Sequence, residues 1–226
     1  MNRPLFVTVD ALDGVGKTTL VSRLAVHLGG VALDTPGPSL RALRQGVLDG
    51  LGPDQLARCV FYLSTVIAEG HKARSHVASG TSVVMDRYWP STAAYARARG
   101  VAEDLHRLAD LVPRPDVSVM LTLDEDERVR RLVGRGDVTA ADRETLDPIF
   151  RDRVLRDLRA MTEVVVDVTG ATPDEAAVRV SDAIDLYVGR LGGPIQGSAA
   201  AETVWRGRNQ RRGSPSWLVG TNPYRS

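Results

Sequence analysis

A glycine-rich segment with one lysine is the part of this sequence best suited to chemistry. It runs from Asp10 to Thr19 and reads Asp-Ala-Leu-Asp-Gly-Val-Gly-Lys-Thr-Thr. Its end fits the phosphate-binding pattern G-x-x-x-x-G-K-[ST], with Ala11 at the place of the first glycine. The chain has only two lysines, Lys17 and Lys72, so a lysine here does not follow from abundance. The segment predicts a loop that binds the phosphates of a nucleotide.

Each residue type in this loop has a chemical role in phosphate binding. Gly14 and Gly16 let backbone N–H groups turn toward phosphate oxygens. Lys17 supplies a positive charge to the β- and γ-phosphates, and Thr18 offers a hydroxyl to Mg²⁺. ATP and Mg²⁺ are therefore the expected cofactors. The residues predicted to bind ATP in this loop are Ala11, Leu12, Asp13, Gly14, Val15, Gly16, Lys17, Thr18 and Thr19.

A second polar segment, Asp86-Arg87-Tyr88, directly follows the apolar run 82–85. In an open α/β sheet the carboxyl ends of the strands face the ligand crevice. There Arg87 can bind an acceptor phosphate and offset the charge of two anions about to react. Asp86 can hold Mg²⁺ through water, which makes Thr18 and Asp86 the predicted metal-binding residues. A structural ion pair at a strand end is the alternative interpretation.

The pattern of apolar residues predicts the strands and helices that carry these segments. Short apolar runs of strand length alternate with longer amphipathic stretches. The predicted strands are 5–9, 31–33, 82–85, 117–123 and 164–168, and the predicted helices are 17–28, 39–48, 54–79, 102–111, 125–133, 143–161 and 173–191. This alternation predicts an α/β fold with a five-stranded parallel sheet between two layers of helices, the three-layer α/β/α arrangement of P-loop NTPases.

With these segments identified, the sequence resembles the thymidylate kinases. The family's loop reads Glu-Gly-x-Asp-Gly-x-Gly-Lys-[Ser/Thr]-Thr, and Asp13 matches its internal aspartate. The family pattern Asp-Arg-[Tyr/His]-x-x-Ser-x-x-Ala-Tyr is matched throughout by residues 86–95. The resemblance covers about residues 5–190. It implies transfer of the ATP γ-phosphoryl group to a nucleoside monophosphate, with Asp13 organising the acceptor and the metal between the two phosphate sites.

Residues 130–136, followed by 142–144, resemble the arginine-rich lid of the family. We place the lid at about 134–146. Lid arginines contact the transferring phosphoryl group and close over ATP. Some relatives carry such an arginine inside the phosphate loop, where Val15 stands here, so the lid must supply it.

Among the lid arginines we choose Arg135 as the catalytic one and expect Arg131 and Arg143 to bind ATP. Arg128 and several acidic neighbours are expected to lie on a solvated helix face. The predicted catalytic residues are thus Asp13, Lys17, Arg87 and Arg135.

The resemblance also assigns residues to the acceptor. It implies that Phe61 stacks on the pyrimidine, that Thr92 lies near the base edge, and that Tyr95 lies under the sugar and disfavours a 2′-hydroxyl. Arg44 resembles an arginine that reaches the acceptor phosphate. A core aromatic residue and a surface arginine are the alternatives for Phe61 and Arg44. The predicted acceptor-binding residues are Arg44, Phe61, Thr65, Arg87, Thr92 and Tyr95.

The sequence departs from the family where the base is recognised. The family's Phe-Tyr-x-x-Arg ends here in Thr65, so the arginine that usually hydrogen-bonds the thymine carbonyl is missing. Thr65 is too short to replace it, although it could act through water or admit a larger base. Residues 34–37 read Asp-Thr-Pro-Gly where the family often has Arg-Glu-Pro-Gly. Because losing one designed hydrogen bond can change specificity by orders of magnitude, the acceptor base stays open.

Three functions therefore remain in view. The first is phosphorylation of dTMP or a related pyrimidine monophosphate. The second is phosphorylation of a modified nucleotide or of a nucleoside in a biosynthetic pathway. The third is of another class, a P-loop switch or a catalytically inactive nucleotide-binding protein. No Asn-Lys-x-Asp sequence is present for guanine, and Lys17, Asp86 and Arg87 are all retained, which disfavours this third class.

Length and composition limit the remaining possibilities. We predict a P-loop nucleotide kinase domain over 1–191 and a Gly-, Ser- and Arg-rich tail over 192–226, which is either flexible or docked. A net charge of +1 gives no sign of a nucleic-acid partner, and no apolar run of ~18 residues predicts a membrane span. One cysteine excludes an internal disulfide. We expect a cytoplasmic protein whose partner is a small nucleotide; family members are commonly homodimers.

Overall fold

The computed structural model describes residues 3–136 and 138–190 and contains a five-stranded, all-parallel sheet of order β2-β3-β1-β4-β5. The strands are β1 (Phe6–Asp10), β2 (Val31–Asp34), β3 (Val83–Asp86), β4 (Val117–Thr122) and β5 (Val164–Asp167). The predicted sheet is confirmed. The predicted tail, 192–226, lies outside the described residues, and the domain boundary before it stays a prediction.

Helices cover the sheet as the strand–helix alternation predicts. Helix α1 packs against α9, and α4 packs against both α3 and α8. In the described ranges no helix is both long enough and apolar enough to cross a membrane. The helices are α1 (Lys17–His27), α2 (Pro38–Leu51), α3 (Gln55–Ala78), α4 (Trp89–Ala98), α5 (His106–Ala109), α6 (Glu125–Gly134), α7 (Ala140–Glu144), α8 (Pro148–Met161) and α9 (Pro173–Arg190).

The central strands place the two polar segments side by side. All five residues of β1 are buried, and so are all but the last residue of β4. Burial on both faces explains why these strands are nearly continuous runs of apolar residues. Strand β1 pairs with β3 so that Val9 lies opposite Asp86. The residues that follow the two strands therefore meet at one edge of the sheet.

Helix α4 is an element that the sequence pattern did not predict. The predicted helix over 102–111 is largely wrong, because only His106–Ala109 is helical there. Helix α4 forms earlier, over Trp89–Ala98, and seven of its ten residues are buried. A helix buried almost all round has no polar face that alternates with an apolar one. Pro90 lies in its first turn, where a helix does not need the proline N–H.

The predicted helix over 143–161 is two helices, α7 and α8. The break lies at Asp147, which has an extended backbone and precedes Pro148. Proline disfavours a helical conformation in the residue before it, and its ring fits the first turn of a new helix. The side chain of Asp147 caps α8 by accepting a hydrogen bond from Ile149 N at 2.9 Å. The break separates the end of the predicted lid from the helix that follows it.

Candidate active site

The loop between β1 and α1 depends on glycine at two positions. Gly14 and Gly16 have φ of 90° and 94°, a left-handed backbone that other residues rarely adopt. Gly14 has a second constraint, because a Cβ there would lie 2.8 Å from Leu132 Cγ and 3.0 Å from the Arg128 carbonyl oxygen. Helix α6 therefore packs directly on the loop, and a side chain at Gly14 would separate them.

Helix α1 begins at Lys17 with its N-terminus open toward the loop. Gly16 is the N-cap residue, and no described side chain caps the helix. The first turn contains no acidic residue. The N–H groups of this turn and the positive end of the helix dipole are therefore available to an anion, as the sequence predicts for a phosphate.

The Lys17 ammonium lies buried across the loop. Nζ donates to the Leu12 carbonyl at 3.1 Å and lies 3.8 Å from Asp13 Oδ1. Burial and the nearby charge of Arg87 lower the pKa of Lys17 to about 8, although the Asp13 carboxylate acts in the opposite direction. The lysine is thus held at the loop with a pKa close to neutral pH.

Asp13 and Arg87 form an ion pair beside Lys17. The Arg87 guanidinium donates to Asp13 Oδ1. Burial raises the pKa of Asp13, but the charges of Arg87 and Lys17 outweigh burial and bring its pKa to about 2. Burial also disfavours the charged form of Arg87, and Asp13 more than compensates, so the pKa of Arg87 rises above its ordinary value. The structure therefore brings together three of the four predicted catalytic residues, all charged at neutral pH.

A tight turn after β3 aims Arg87 into this site. Its φ of 64° is the only positive φ of a non-glycine residue among those described, and such a conformation persists only where the surroundings fix it. The buried Asp10 supplies this restraint, because its Oδ1 accepts hydrogen bonds from Tyr88 N at 3.0 Å and Ser91 N at 3.1 Å. Burial raises the pKa of Asp10, against the hydrogen bonds from Ser91 and Tyr88. Asp10 is a site residue that the sequence analysis did not predict; its signal was an acid at the end of a buried strand.

The two predicted metal-binding residues lie in contact. Thr18 Oγ1 donates to Asp86 Oδ2 at 2.7 Å. The other carboxylate oxygen, Asp86 Oδ1, is buried and has no hydrogen-bond partner among the described residues. Hydroxyl and carboxylate oxygens are ligands of Mg²⁺, which takes its remaining ligands from substrate phosphates and water. These two residues fit a Mg²⁺ site, which stays a prediction.

The lid arginines occupy different environments. Arg131 Nη1 donates to the Val15 carbonyl at 3.1 Å, so this side chain lies against the phosphate loop. Arg135 is 51% exposed and donates to Asp142 Oδ1 at 3.1 Å. Its charge also contributes to the low pKa of Asp13. Arg143 is exposed on α7. The structure thus places Arg131 at the loop, whereas Arg135 is exposed to solvent and close enough to Asp13 to affect its pKa.

The environment of Arg128 differs from the prediction. Arg128 was expected on a solvated helix face, but its side chain is 1% exposed. Its guanidinium forks onto Glu125 at 2.7 and 2.8 Å, and it also donates to the Asp13 carbonyl at 3.0 Å and to Thr145. The expectation was wrong because α6 is rich in charged residues and Leu132, four residues later, is the only other buried residue of this helix. The Glu125 partner three residues earlier was the available signal.

On the acceptor side, Tyr95 lies between two arginines. Its ring centroid is 5.8 Å from Arg87 Cζ and 5.4 Å from Arg99 Cζ. Burial raises the pKa of Tyr95 to about 12, despite the opposing charge of Arg87, so its hydroxyl stays neutral. Arg99 also makes two hydrogen bonds to Glu144, at 3.1 and 2.6 Å. The end of helix α4, which carries Tyr95, is thereby joined to α7, a helix within the predicted lid.

The remaining predicted acceptor residues contact one another or their own helix. Arg44 Nε donates to the Tyr62 hydroxyl at 2.7 Å. Phe61 is half-buried, with its ring centroid 5.2 Å from that of Tyr62. Thr65 is fully buried, and its hydroxyl donates to the Tyr62 carbonyl at 2.7 Å. Thr92 is half-buried on α4. Contacts of these residues with an acceptor stay predictions.

Comparison with known proteins agrees with this geometry. A sequence model of the thymidylate kinase family matches residues 9–174, a segment that contains the loop, the turn after β3 and the lid. The thymidylate kinase of Xanthomonas oryzae pv. oryzae is 33% identical over 147 residues, which are 59% of this chain. In that alignment the chain spans only 62% of the relative's length.

Two further proteins match over longer segments. The thymidylate kinase of Xanthomonas euvesicatoria pv. vesicatoria is 31% identical over 214 residues, covering 88% of this chain and 90% of the relative. The solved structure of thymidylate kinase from Candida albicans has a TM-score of 0.64 at 20% identity and covers 82% of this chain and 92% of its own. The latter similarity is one of fold. The family match and the relative of near-full coverage establish membership: the chain belongs to the thymidylate kinase family.

Proposed function

We propose that this chain is an ATP-dependent nucleoside monophosphate kinase that phosphorylates dTMP or a related pyrimidine monophosphate to the diphosphate. The observation that carries the proposal is the cluster of Lys17, Asp13 and Arg87 where β1 and β3 end. It joins a cation held at the phosphate loop to a second cation on the acceptor side, through one carboxylate. The relatives named thymidylate kinase support the choice of acceptor.

In the proposed reaction the chain aligns two phosphates and neutralises their charge. The loop N–H groups and Lys17 bind the β- and γ-phosphates of ATP, and Arg87 binds the acceptor phosphate. The attacking oxygen belongs to a phosphate that is already anionic, so no general base is required. Thr18 and Asp86 would hold Mg²⁺, which supplies positive charge to the phosphate oxygens when bound. Arg135 would approach the transferring group when the lid closes and excludes water.

A homodimer in the cytoplasm is the assembly and location that the family resemblance supports. Leu43 on α2 and Val60 on α3 are exposed and supply apolar surface on helices that flank the sheet. Light scattering coupled to gel filtration tests the assembly; a mass of 24.4 kDa would indicate a monomer.

A nucleotide panel tests the proposed reaction. ADP release is measured with ATP and Mg²⁺ against dTMP, dUMP, dCMP, UMP and thymidine. We expect dTMP to give the highest kcat/KM, with UMP disfavoured by Tyr95 and thymidine inactive because it offers Arg87 no phosphate. Arg87→Ala should abolish turnover and leave the melting temperature close to that of the parental protein. Near-parental activity of this variant, or phosphorylation of thymidine but not dTMP, would contradict the proposal.

A second candidate, a kinase of a modified pyrimidine monophosphate, is motivated by Thr65. This residue stands where an arginine would contact the base, and its hydroxyl is used within α3. The same assay with 5-substituted deoxyuridine monophosphates of increasing size distinguishes the two candidates. A higher kcat/KM for a larger 5-substituent than for dTMP would favour the second.

A further inference from the structure

Arg128 connects three parts of the protein from a buried position. Its five N–H groups make five hydrogen bonds, two to Glu125, two to Thr145 and one to the carbonyl oxygen of Asp13. A guanidinium has five N–H donors, so every donor is used inside the protein. The side chain is also 1% exposed. Arg128 therefore cannot touch a nucleotide in this structure, and any role in phosphate binding must act through one of its partners.

The partner that matters is the peptide unit between Asp13 and Gly14. This peptide is trans, so its carbonyl and its N–H point in opposite directions within one plane. Arg128 Nη1 holds the carbonyl at 3.0 Å on the side of α6. The Gly14 N–H is consequently directed away from α6. A hydrogen bond from a charged donor to the carbonyl also polarises the peptide and makes its N–H a better donor.

Arg131 makes the equivalent contact two residues further along the loop. It lies three residues after Arg128, on the same side of α6, and its Nη1 donates to the Val15 carbonyl at 3.1 Å. The Val15–Gly16 peptide is held in the same way. The contact of α6 with Gly14, which leaves no room for a Cβ, keeps both arginines at the loop.

We propose that Arg128 is a positioning residue, which fixes the Asp13–Gly14 peptide so that the Gly14 N–H donates to a nucleotide phosphate. The proposal deepens the proposed function and rests on it only for the assumption that the loop binds phosphate. In this proposal, helix α6 orients the N–H groups of the loop before the lid closes.

Equilibrium binding of ADP, measured by calorimetry without an acceptor, tests the proposal. Arg128→Met keeps much of the side-chain volume and removes the donors. We expect it to weaken ADP binding at least tenfold, which corresponds to about 1.4 kcal/mol. Arg128→Lys should give intermediate affinity, because an ammonium keeps the charge but offers three N–H donors in place of the five that the guanidinium uses.

Arg151→Met is the matched control. Arg151 also pairs with Glu125, at 2.8 Å, but it lies on α8, and its other ion pair, at 3.9 Å, is with its neighbour Asp152. We expect this variant to bind ADP within twofold of the parental affinity. A purely structural Arg128 would instead lower the melting temperature and leave ADP affinity at the level of Arg151→Met, which would overturn the proposal. If Arg128→Met does not fold, parental ADP affinity in a folded Arg128→Lys would overturn it equally.

Steady-state kinetics give an independent readout. With dTMP as acceptor, Arg128→Met should raise the KM for ATP about tenfold and leave the KM for dTMP within twofold, because Arg128 holds a backbone carbonyl of the loop, whereas the acceptor phosphate is proposed to bind the Arg87 side chain. Equal increases in both KM values would overturn the positioning role. If the parental protein binds ADP but does not phosphorylate any monophosphate, the proposed function fails, whereas the calorimetric comparison of Arg128→Met with Arg151→Met still decides the role of Arg128.

Discussion

The phosphate loop and the acceptor-base region differ in what holds their polar groups. In the loop, the carbonyls of residues 12, 13 and 15 each accept a hydrogen bond from a buried or half-buried cation, namely Lys17, Arg128 and Arg131. In the acceptor-base region, Arg44 rests on Tyr62, and the Thr65 hydroxyl bonds within its own helix. Two of the three loop contacts come from α6, which is distant in the chain, whereas the acceptor-base contacts lie within α3 or between the neighbouring helices α2 and α3.

The position of each region in the sheet explains this difference. The loop follows β1, the middle strand, so elements on both sides can contact it. Helix α2, which carries Arg44, follows β2 at the edge of the sheet, where one side is open. A loop at the centre of the sheet can be held rigidly for the ATP chemistry proposed here. An edge with exposed side chains can change its acceptor without disturbing the fold.

Loss of Lys17 should break the donor side most severely. Lys17→Ala removes a buried, preorganised charge at the β- and γ-phosphates, and we expect kcat to fall about 10³-fold. The matched control is Lys72→Ala, the other lysine, which is 61% exposed and paired with Glu69. Rates from ADP release, with circular dichroism to verify folding, check the prediction. Activity in Lys17→Ala like that in Lys72→Ala would contradict a fixed donor site.

A smaller loss is expected at the lid. Arg135→Ala should lower kcat about 10²-fold and change the KM for dTMP little, because Arg135 is proposed to act on the transferring group. Arg130→Ala, an exposed arginine of α6, serves as control and should stay within twofold of parental. Single-turnover rates separate the chemical step from product release. If Arg131→Ala lowers the single-turnover rate and Arg135→Ala does not, the catalytic role belongs to Arg131.

The depressed pKa of Lys17 makes donor binding sensitive to alkaline pH. Burial and Arg87 bring this pKa to about 8, and only the protonated lysine is a cation. ADP affinity should be constant below pH 7 and fall by up to about tenfold per pH unit above pH 8. Calorimetry from pH 6.5 to 9.5 measures the profile. Lys17→Ala should show weak, pH-independent affinity, and a sloping profile in this variant would assign the titration to another group.

The smallest effect is expected at Thr65, in the acceptor-base region. Thr65→Val keeps the side-chain volume and removes a hydroxyl that already bonds within α3. The ratios of kcat/KM between acceptors should therefore change less than twofold. Thr92→Val, the same substitution at a half-buried position of α4, should raise the KM for dTMP about fivefold, as expected for one lost hydrogen bond of ~1 kcal/mol. A changed ranking in Thr65→Val would show that Thr65 reaches the base.

Much of the fold could be predicted from the sequence because its signals are local. The five strands are short apolar runs, and the loop is marked by glycine spacing and one lysine. Helix α4 could not be predicted in this way, because its burial on nearly every side removes the amphipathic pattern. Pro148 was a signal for the break between α7 and α8. The charged residues on both sides of it form a continuous pattern, however, and this pattern suggested one helix.

The residues of the site likewise fall into those that local sequence signals predict and those that they do not. The amino-acid sequence is enough to show which groups are present, because Lys17, Asp13 and Arg87 follow from the loop and from the segment after β3. The packing of distant elements is needed to show that Asp10 holds the turn of Arg87 and that Arg128 lies against the phosphate loop. This is because the type of a charged residue does not reveal whether its side chain lies on a solvated surface or in a buried, fully hydrogen-bonded position. Only the elements packed around it determine which of the two it occupies.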